Sequence, residues 1–283
     1  MAILRKLLGA TAATLLSLSA HASLITVQGV TWDPDSAVDF QSTTNFSQWF
    51  QNGIAFAPTA AGSVVSFTDP ASLVGTYVTG AGKMNTFNGI NQIPGDPTPE
   101  TNPAVFAAGR ELTYIYGGIK ITGVSIVGAS VVFTFDLSNS YITVLSDSAK
   151  NYSETLGGLA EQVDAADSDF SEAFLTGTFD EFYVQSILGS LDGNLFGNAT
   201  GLISVTGGAA YGNFETNAKQ SPVNPSVFAD LTLTGSSQIF VGSSISTVGN
   251  NQLLGNTVPE PASVALAGLA LLGGFAASRK RKA

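Results

Sequence analysis

The sequence predicts an all-β fold, mainly antiparallel and either sandwich or barrel-like, with one short helical segment and a targeting helix at each end. Short apolar stretches recur between turn residues at intervals of about eight to twelve residues, which is typical of such folds. Several of these stretches alternate, as in Leu112, Tyr114 and Tyr116 against Thr113 and Ile115. Alternation with a period of two indicates strands that have one buried face.

The first segment, residues 1–22, has the pattern of a secretory signal peptide. A short basic region is followed by an apolar region at residues 7–18 and by a small-x-small end at Ala20 and Ala22. We therefore expect export through the Sec route and cleavage after Ala22. The working protein is then a secreted β-rich domain at residues 23–257, with no domain boundary visible inside it.

The strands of this domain are placed by their apolar, β-branched and aromatic content between turn residues. Two short polar or glycine segments, residues 138–140 and the pair Gly117 and Gly118, are predicted to be hairpin loops. The predicted strands cover residues 24–30, 63–67, 72–78, 111–116, 119–126, 130–137, 141–145, 173–179, 182–187, 201–205, 227–233 and 238–241.

Two stretches do not have the pattern of a strand. Residues 89–103 contain four prolines, which cannot donate ladder hydrogen bonds, so we expect an exposed loop. Residues 152–171 have partly helical composition with Ser153 as a candidate cap. Gly157 and Gly158 weaken that helix by about 1 kcal/mol each relative to alanine.

The charge of the working domain limits its partners. Residues 23–257 carry five Lys and Arg against twenty acidic residues, a net charge of −15. Such a surface repels nucleic acid, and it repels acidic polysaccharide unless divalent cations bridge the two. The chain has no Cys, and its one His, His21, lies in the signal peptide. This composition excludes Ser-His-Asp and Cys-His nucleophiles and metal sites that need imidazole or thiolate.

The densest group of carboxylates lies near the start of the domain, at Asp33, Asp35 and Asp39. One interpretation is a Ca²⁺ site, although the spacing is not that of an EF-hand loop. The other is an Asx turn that joins the first strand to an aromatic cluster. The members of that predicted cluster are Trp32, Phe40, Phe46, Trp49 and Phe50.

Other carboxylates supply further candidates. Arg110 and Glu111 are predicted to form a surface ion pair. A second acidic cluster is interpreted as a solvated face, with a bound cation as the alternative. A glycosidase needs two carboxylates about 5 to 10 Å apart across a cleft, and no motif singles out such a pair. The cluster residues are Asp164, Asp167, Asp169 and Glu172, and the candidate acids for hydrolysis are Asp136, Glu111, Asp180 and Glu181.

The last segment, residues 258–283, consists of three unlike pieces. A Pro-Glu-Pro triplet precedes an apolar run at residues 262–277, which is shorter than the roughly 20 residues of a comfortable membrane span. A basic end follows, which favours the cytoplasmic side. The residues concerned are Pro259, Glu260 and Pro261 in the triplet and Arg279, Lys280, Arg281 and Lys282 in the basic end.

This tail closely resembles the PEP-CTERM sorting signal of Gram-negative bacteria, in which an exosortase processes the protein near the triplet. The tail together with residues 31–40, TWDPDSAVDF, also resembles the flocculation-associated PEP-CTERM proteins. That resemblance implies a cell-surface or matrix protein that acts with exopolysaccharide and has no enzymatic activity. Members of that group often carry cysteines in the middle region, which this chain lacks.

Two functions are therefore expected. The first is a non-enzymatic surface protein that promotes floc or biofilm formation, held to exopolysaccharide by weak multivalent contacts and by Ca²⁺ bridges. The second is a secreted carbohydrate-binding module or a carboxylate-based glycoside hydrolase. In both, the expected partners are an exosortase, a glycan and, transiently, the membrane through the C-terminal span.

Overall fold

The computed structural model describes residues 25–32, 40–53, 63–87, 110–153, 158–188, 193–244 and 246–258. The predicted targeting segments, at residues 1–22 and after Val258, and the predicted loop at residues 89–103 lie outside these ranges. Within the described part of the chain, no helix is long and apolar enough to cross a membrane. The fold is mainly antiparallel sheet, as the sequence predicts.

Fourteen strands, two short α-helices and one 3-10 helix make up the described fold. The helices are the 3-10 helix Pro70–Leu73, α1 (Gly158–Ala165) and α2 (Tyr211–Phe214). The strands are β1 (Ile25–Val27), β2 (Val30–Trp32), β3 (Phe40–Asn52), β4 (Ser63–Val65), β5 (Tyr77–Phe87), β6 (Glu111–Val127), β7 (Ser130–Asp136), β8 (Tyr141–Asp147), β9 (Leu175–Leu188), β10 (Leu195–Gly207), β11 (Lys219–Gln220), β12 (Phe228–Ala229), β13 (Leu231–Ile239) and β14 (Ser246–Gly255).

The ten-stranded main sheet closes on itself. The pairing runs from β10 through β13, β14, β3, β5 and β6 to β7 and β8, then to β9, and β9 pairs back onto β10. All of these pairings are antiparallel. Closure leaves no long unpaired edge along this path.

Between β6 and β9, the ring is filled by β7 and β8, which run in the same direction. Lys120 of β6 pairs with Asp136, and Gly117 pairs with Tyr141, so β7 and β8 act as one strand with a break at residues 137–140. Residues 138–140 are therefore not a hairpin loop. The prediction for Gly117 and Gly118 is also wrong, because both lie inside β6.

Strand β6 is long because its glycines let it bend without ending. Gly118 has φ = +70°, a conformation that glycine adopts at little cost. The predicted strands 111–116 and 119–126 are thus one element. The predicted strands 173–179 and 182–187 likewise merge into β9. A register shift between Phe179 and Glu181 accommodates Asp180 as an extra residue in this strand.

The sequence analysis missed β3, β14 and most of β5. These strands contain many Ser, Gln, Asn and Gly residues, of which Asn and Gly lower intrinsic strand propensity. Their pairing partners on both sides, rather than their composition, hold them in place: β3 pairs with both β14 and β5. The predicted strand 72–78 is mostly wrong, since it overlaps the 3-10 helix.

The two ends of the closed sheet differ. We call the end where β6 begins and β14 finishes the terminal end, because the described chain enters and leaves there. It is filled by Trp32, whose ring lies 5.4 Å from that of Phe214 and 6.0 Å from that of Phe174. All three side chains are fully buried.

The opposite end, where β6 finishes at Val127 and β14 begins, we call the pocket end. The 3-10 helix covers one side of it, and Leu73 and Phe67 are fully buried there. Asp69 caps this helix by accepting a hydrogen bond from Ser72 N at 3.0 Å. Phe67 N donates to the Ser243 carbonyl, which ties this cover to the segment that follows β13.

Helix α1 packs on the outside of the sheet. It is much shorter than the predicted segment at residues 152–171. Beneath it lies a second apolar cluster with Trp49, Ala81, Ile115 and Ala165. Trp49 is therefore separated from Phe46 and Phe50, which face the interior, because neighbouring strand positions point to opposite faces. The predicted aromatic cluster is thus split, while Trp32 joins the interior group.

Candidate functional site

The carboxylates proposed to bind Ca²⁺, Asp33, Asp35 and Asp39, lie outside the described residues. The Ca²⁺ site there stays a prediction. Across the ranges that the structure describes, no group of three or more acidic, His or Cys side chains is placed to hold a metal ion.

The second acidic cluster holds loops in place. Asp164 accepts a hydrogen bond from Ser153 N at 2.6 Å, so Ser153 contacts α1 through its backbone. Asp169 accepts from Ser148 N at 3.0 Å and from the Arg110 guanidinium at 2.9 Å. Hydrogen bonds from Ser148, together with Arg110, hold the pKa of Asp169 below its ordinary value. These carboxylates accept hydrogen bonds from backbone N–H groups that lie outside the strand ladders.

The predicted pair between Arg110 and Glu111 does not form. Glu111 instead pairs with Lys83 on the neighbouring strand at 2.7 Å, and its other oxygen accepts from Tyr152 N at 2.9 Å. The Glu111 side chain is 2% exposed, whereas that of Lys83 is 33% exposed. Strand alternation explains why Glu111 pairs with Lys83 and not with Arg110, because Arg110 and Glu111 are adjacent in sequence and point to different sides.

Two of the candidate acids for hydrolysis, Asp136 and Asp180, also have separate local roles. Asp136 accepts from Ser138 N at the break between β7 and β8, and this hydrogen bond lowers its pKa. Asp180 accepts from the Ser204 hydroxyl at 2.5 Å. Among the described residues, neither of these carboxylates, nor Glu111 or Glu181, lines either of the two interior pockets described below.

The interior of the sheet holds a pocket that the sequence analysis missed. It is a narrow pocket with about 30 Å³ of space for water-sized groups, and its walls are mainly apolar. Small inward residues on β10 and β13 create the space, since Gly197 pairs with Ser237 and Ala199 with Gly235. The lining residues are Gln48, Phe50, Val78, Ile121, Phe133, Phe135, Phe182, Val184, Leu195, Gly197, Ala199, Ser237 and Ile239.

One polar pair lies deep in this interior. The Tyr116 hydroxyl donates to Gln48 Oε1 at 3.0 Å. Burial, with a contribution from Tyr114, raises the pKa of Tyr116 well above its ordinary value, so the phenol stays protonated. Tyr116 and Gln48 also line an adjoining smaller pocket. The pocket can therefore offer apolar contact together with neutral amide and hydroxyl contacts from Gln48 and Ser237, and none of its lining residues is charged.

The chain leaves the fold at the terminal end, directly beside the predicted tail. Thr257 is 3% exposed, and Val258 N donates to the Asn213 carbonyl of α2 at 2.9 Å. Just before them, Asn256 Oδ1 accepts from Lys219 Nζ at 3.0 Å. Residues 256–258, directly before Pro259, are thus part of the fold.

The comparisons with known proteins identify this tail. The family model described as the PEP-CTERM protein-sorting motif matches residues 257–282. No curated protein and no solved structure matches the chain significantly. The predicted sorting signal is confirmed, and the resemblance to the flocculation-associated group stays a prediction.

Proposed function

We propose that this chain acts as a non-enzymatic matrix protein at the cell surface or in the extracellular space. The chain carries a PEP-CTERM sorting motif, which implies export and exosortase processing to one of these locations. In this proposal it associates with exopolysaccharide and promotes floc or biofilm formation. Its contacts are weak and multivalent, made by surface carboxylates through Ca²⁺ and by polar side chains directly.

The observation that carries this proposal is the distribution of charge. Residues 23–257 have a net charge of −15, and exposed carboxylates such as those of Asp167, Glu172 and Glu215 lie on the surface rather than in a pocket. A dispersed acidic surface suits many weak cation-bridged contacts better than one tight site. Affinity then comes from the number of contacts.

The absence of charged side chains from the two interior pockets described above, within the part of the chain that the structure describes, supports the non-enzymatic part. Glycoside hydrolysis needs an acid and a base or nucleophile facing the substrate. In the described residues, three of the four candidate carboxylates have structural partners: Glu111 pairs with Lys83, Asp136 accepts from Ser138 N, and Asp180 accepts from the Ser204 hydroxyl. The alternative is a carbohydrate-binding module or a glycoside hydrolase, and a measurement on purified protein distinguishes it from the matrix role.

The test is a gene-deletion strain complemented with the wild-type chain or with Pro259→Ala/Pro261→Ala. We expect wild type to restore flocculation and biofilm cohesion and the tail variant to fail. The matched control is Pro222→Ala/Pro225→Ala, which changes two prolines of a surface loop and should restore both. Unchanged cohesion after gene deletion contradicts the matrix role.

A second measurement separates the mechanisms. Purified protein is mixed with the host's exopolysaccharide, with and without a chelator of divalent cations. The proposal predicts retention that does not saturate and that falls when cations are removed. Saturable binding at micromolar concentration indicates a binding module, and release of reducing sugar indicates a hydrolase.

A further inference from the structure

We propose that the terminal end is the face that this protein presents to the membrane and to the exosortase while the tail is in place, with the pocket end directed away. This inference rests on the sorting motif and on the geometry of residues 256–258. It does not depend on the matrix role proposed above.

The first step is the short distance between the fold and the membrane segment. Val258 is held by its hydrogen bond to Asn213, and the apolar run begins at residue 262. Only the triplet lies between them. A chain of this length spans at most about 14 Å even when fully extended. The tail therefore joins the membrane to the domain without a spacer.

The second step is the position of the N-terminal side. The turn between β1 and β2 is tied to the terminal end, where Gln28 Nε2 donates to the Glu172 carbonyl at 2.9 Å and the Ser146 hydroxyl donates to the Gln28 carbonyl at 3.2 Å. Only Ser23 and Leu24 separate the predicted signal cleavage site from β1. Both segments that meet the membrane during export thus join the same end of the fold.

The third step is the length of the closed sheet. Strand β10 has 13 residues, and at about 3.3 Å per residue with a tilt near 40° it spans roughly 30 Å along the axis. To bring the pocket end to the membrane, Val258 would have to lie about that far from the surface. The connection through the triplet reaches only about half of this distance. The pocket end therefore cannot reach the membrane while the triplet connects Val258 to the apolar run, which leaves the terminal end as the face nearest the membrane.

The orientation also defines what the exosortase meets. The groups next to the triplet are α2 with its Asn213 carbonyl and the segment around Lys219 and Asn256. An exosortase that recognises the triplet while the tail is in the membrane therefore approaches against this surface. The pocket and the exposed apolar side chains near its mouth, such as those of Val127 and Val241, point outward and stay accessible.

The test uses the absence of cysteine from the chain, so that each variant carries one thiol. Ser171→Cys places a thiol at an exposed position of the terminal end, and Val127→Cys places one at the pocket end, where Val127 is 71% exposed. The exported chain, residues 23–283, is labelled with a fluorophore and inserted into vesicles that contain a lipid with a nitroxide headgroup. Only the vesicle-bound fraction is measured.

We expect quenching several-fold stronger at position 171 than at position 127. Equal quenching, or stronger quenching at position 127, overturns the proposal. Thermal unfolding of both variants establishes that they fold like the wild type.

The matched control inserts twenty Gly and Ser residues between Val258 and Pro259, a linker with a root-mean-square length of about 25 Å. The difference between the two positions should then largely disappear. A difference that survives the linker also overturns the proposal, because the short connection would not be its cause. Loss of flocculation is not measured here, so failure of the matrix role leaves this result unaffected.

Discussion

Trp32 illustrates, at the scale of one residue, how the terminal end is closed. Its side chain is fully buried and contacts the rings of Phe174 and Phe214, which come from distant parts of the chain. Large aromatic side chains bury much apolar surface and favour such edge and tilted contacts. Trp32 therefore holds the hairpin of β1 and β2 on the sheet together with buried Val30 and the hydrogen bonds of Gln28.

Trp32→Ala tests this role. We expect a loss of about 3–5 kcal/mol in the free energy of unfolding, because the substitution leaves a cavity among rings that cannot collapse freely. Urea denaturation measures the loss. Phe196→Ala is the control, since Phe196 is 37% exposed and its truncation should cost less than about 1 kcal/mol. Similar losses of stability in the two variants would argue against the role of Trp32 in filling the terminal end.

Asp169 provides a prediction for pH. Ser148 and Arg110 lower its pKa in the folded state. A carboxyl group with a depressed folded pKa adds stability above its unfolded pKa, and that stability is lost as the pH falls through the folded pKa. Asp169→Asn should thus lower the melting temperature at neutral pH. The gap to wild type should close as the pH falls below about 4, near the ordinary pKa of Asp.

Melting curves between pH 2 and pH 8 follow this gap. Arg110→Gln removes one of the two partners, so it should reproduce only part of the effect at neutral pH. A gap of constant size across the whole range would mean that the Asp169 charge contributes nothing.

At the scale of elements, the break between β7 and β8 depends on Gly118. A Cβ atom at this position would lie 1.9 Å from the Asn139 carbonyl oxygen, so no side chain fits unless the break moves. Gly128, in the turn between β6 and β7, has a similar φ of +64° but open space around it. Comparing alanine substitutions at these two glycines therefore distinguishes the cost of backbone strain from the cost of a steric clash.

Gly128→Ala should cost about 1–2 kcal/mol, the penalty for a left-handed conformation. Gly118→Ala carries the same penalty plus about 1–3 kcal/mol for overpacking against the break. Chemical denaturation of both variants measures the difference. Equal costs would show that residues 137–140 adjust freely, contrary to the geometry of the ring.

Strand prediction succeeded where the alternation of residues within a single strand was enough to identify it. The alternation in Leu112, Tyr114 and Tyr116 predicts the inward face of β6, and these side chains are buried in the interior. It failed for β3 and β14, because their many polar residues become strand only through neighbours on both sides. It also divided β6 at Gly117 and Gly118, since a glycine pair within a long bent strand has the same local pattern as a turn.

At the scale of the whole molecule, the boundary between fold and tail can be tested by truncation. A chain that ends at Val258 should melt at the same temperature as the full exported chain, because it keeps the contacts of residues 256–258. A chain that ends at Gly255 loses buried Thr257 and the hydrogen bonds to Asn213 and Lys219. We expect this chain to lose about 1–3 kcal/mol, measured by denaturation, through unpaired buried groups. Equal stability of the two truncated chains would place the boundary before residue 256.

The sequence alone determined the features that lie within contiguous stretches. The sorting tail was recognisable because its triplet, apolar run and basic end follow one another, and a family model matches it. The antiparallel β class was also predictable, because alternation is a property of single strands. No pairing between distant segments was needed for either conclusion.

Only the tertiary structure decided what depends on residues far apart in the chain. Closure of the sheet required β9 to pair with β10, and the pocket arose from small residues that meet across β10 and β13. Glu111 found Lys83 rather than its neighbour Arg110, because strand direction and register set which side chains meet. Both ends of the described chain emerge together at the terminal end for the same reason, since register and closure are properties of the whole sheet.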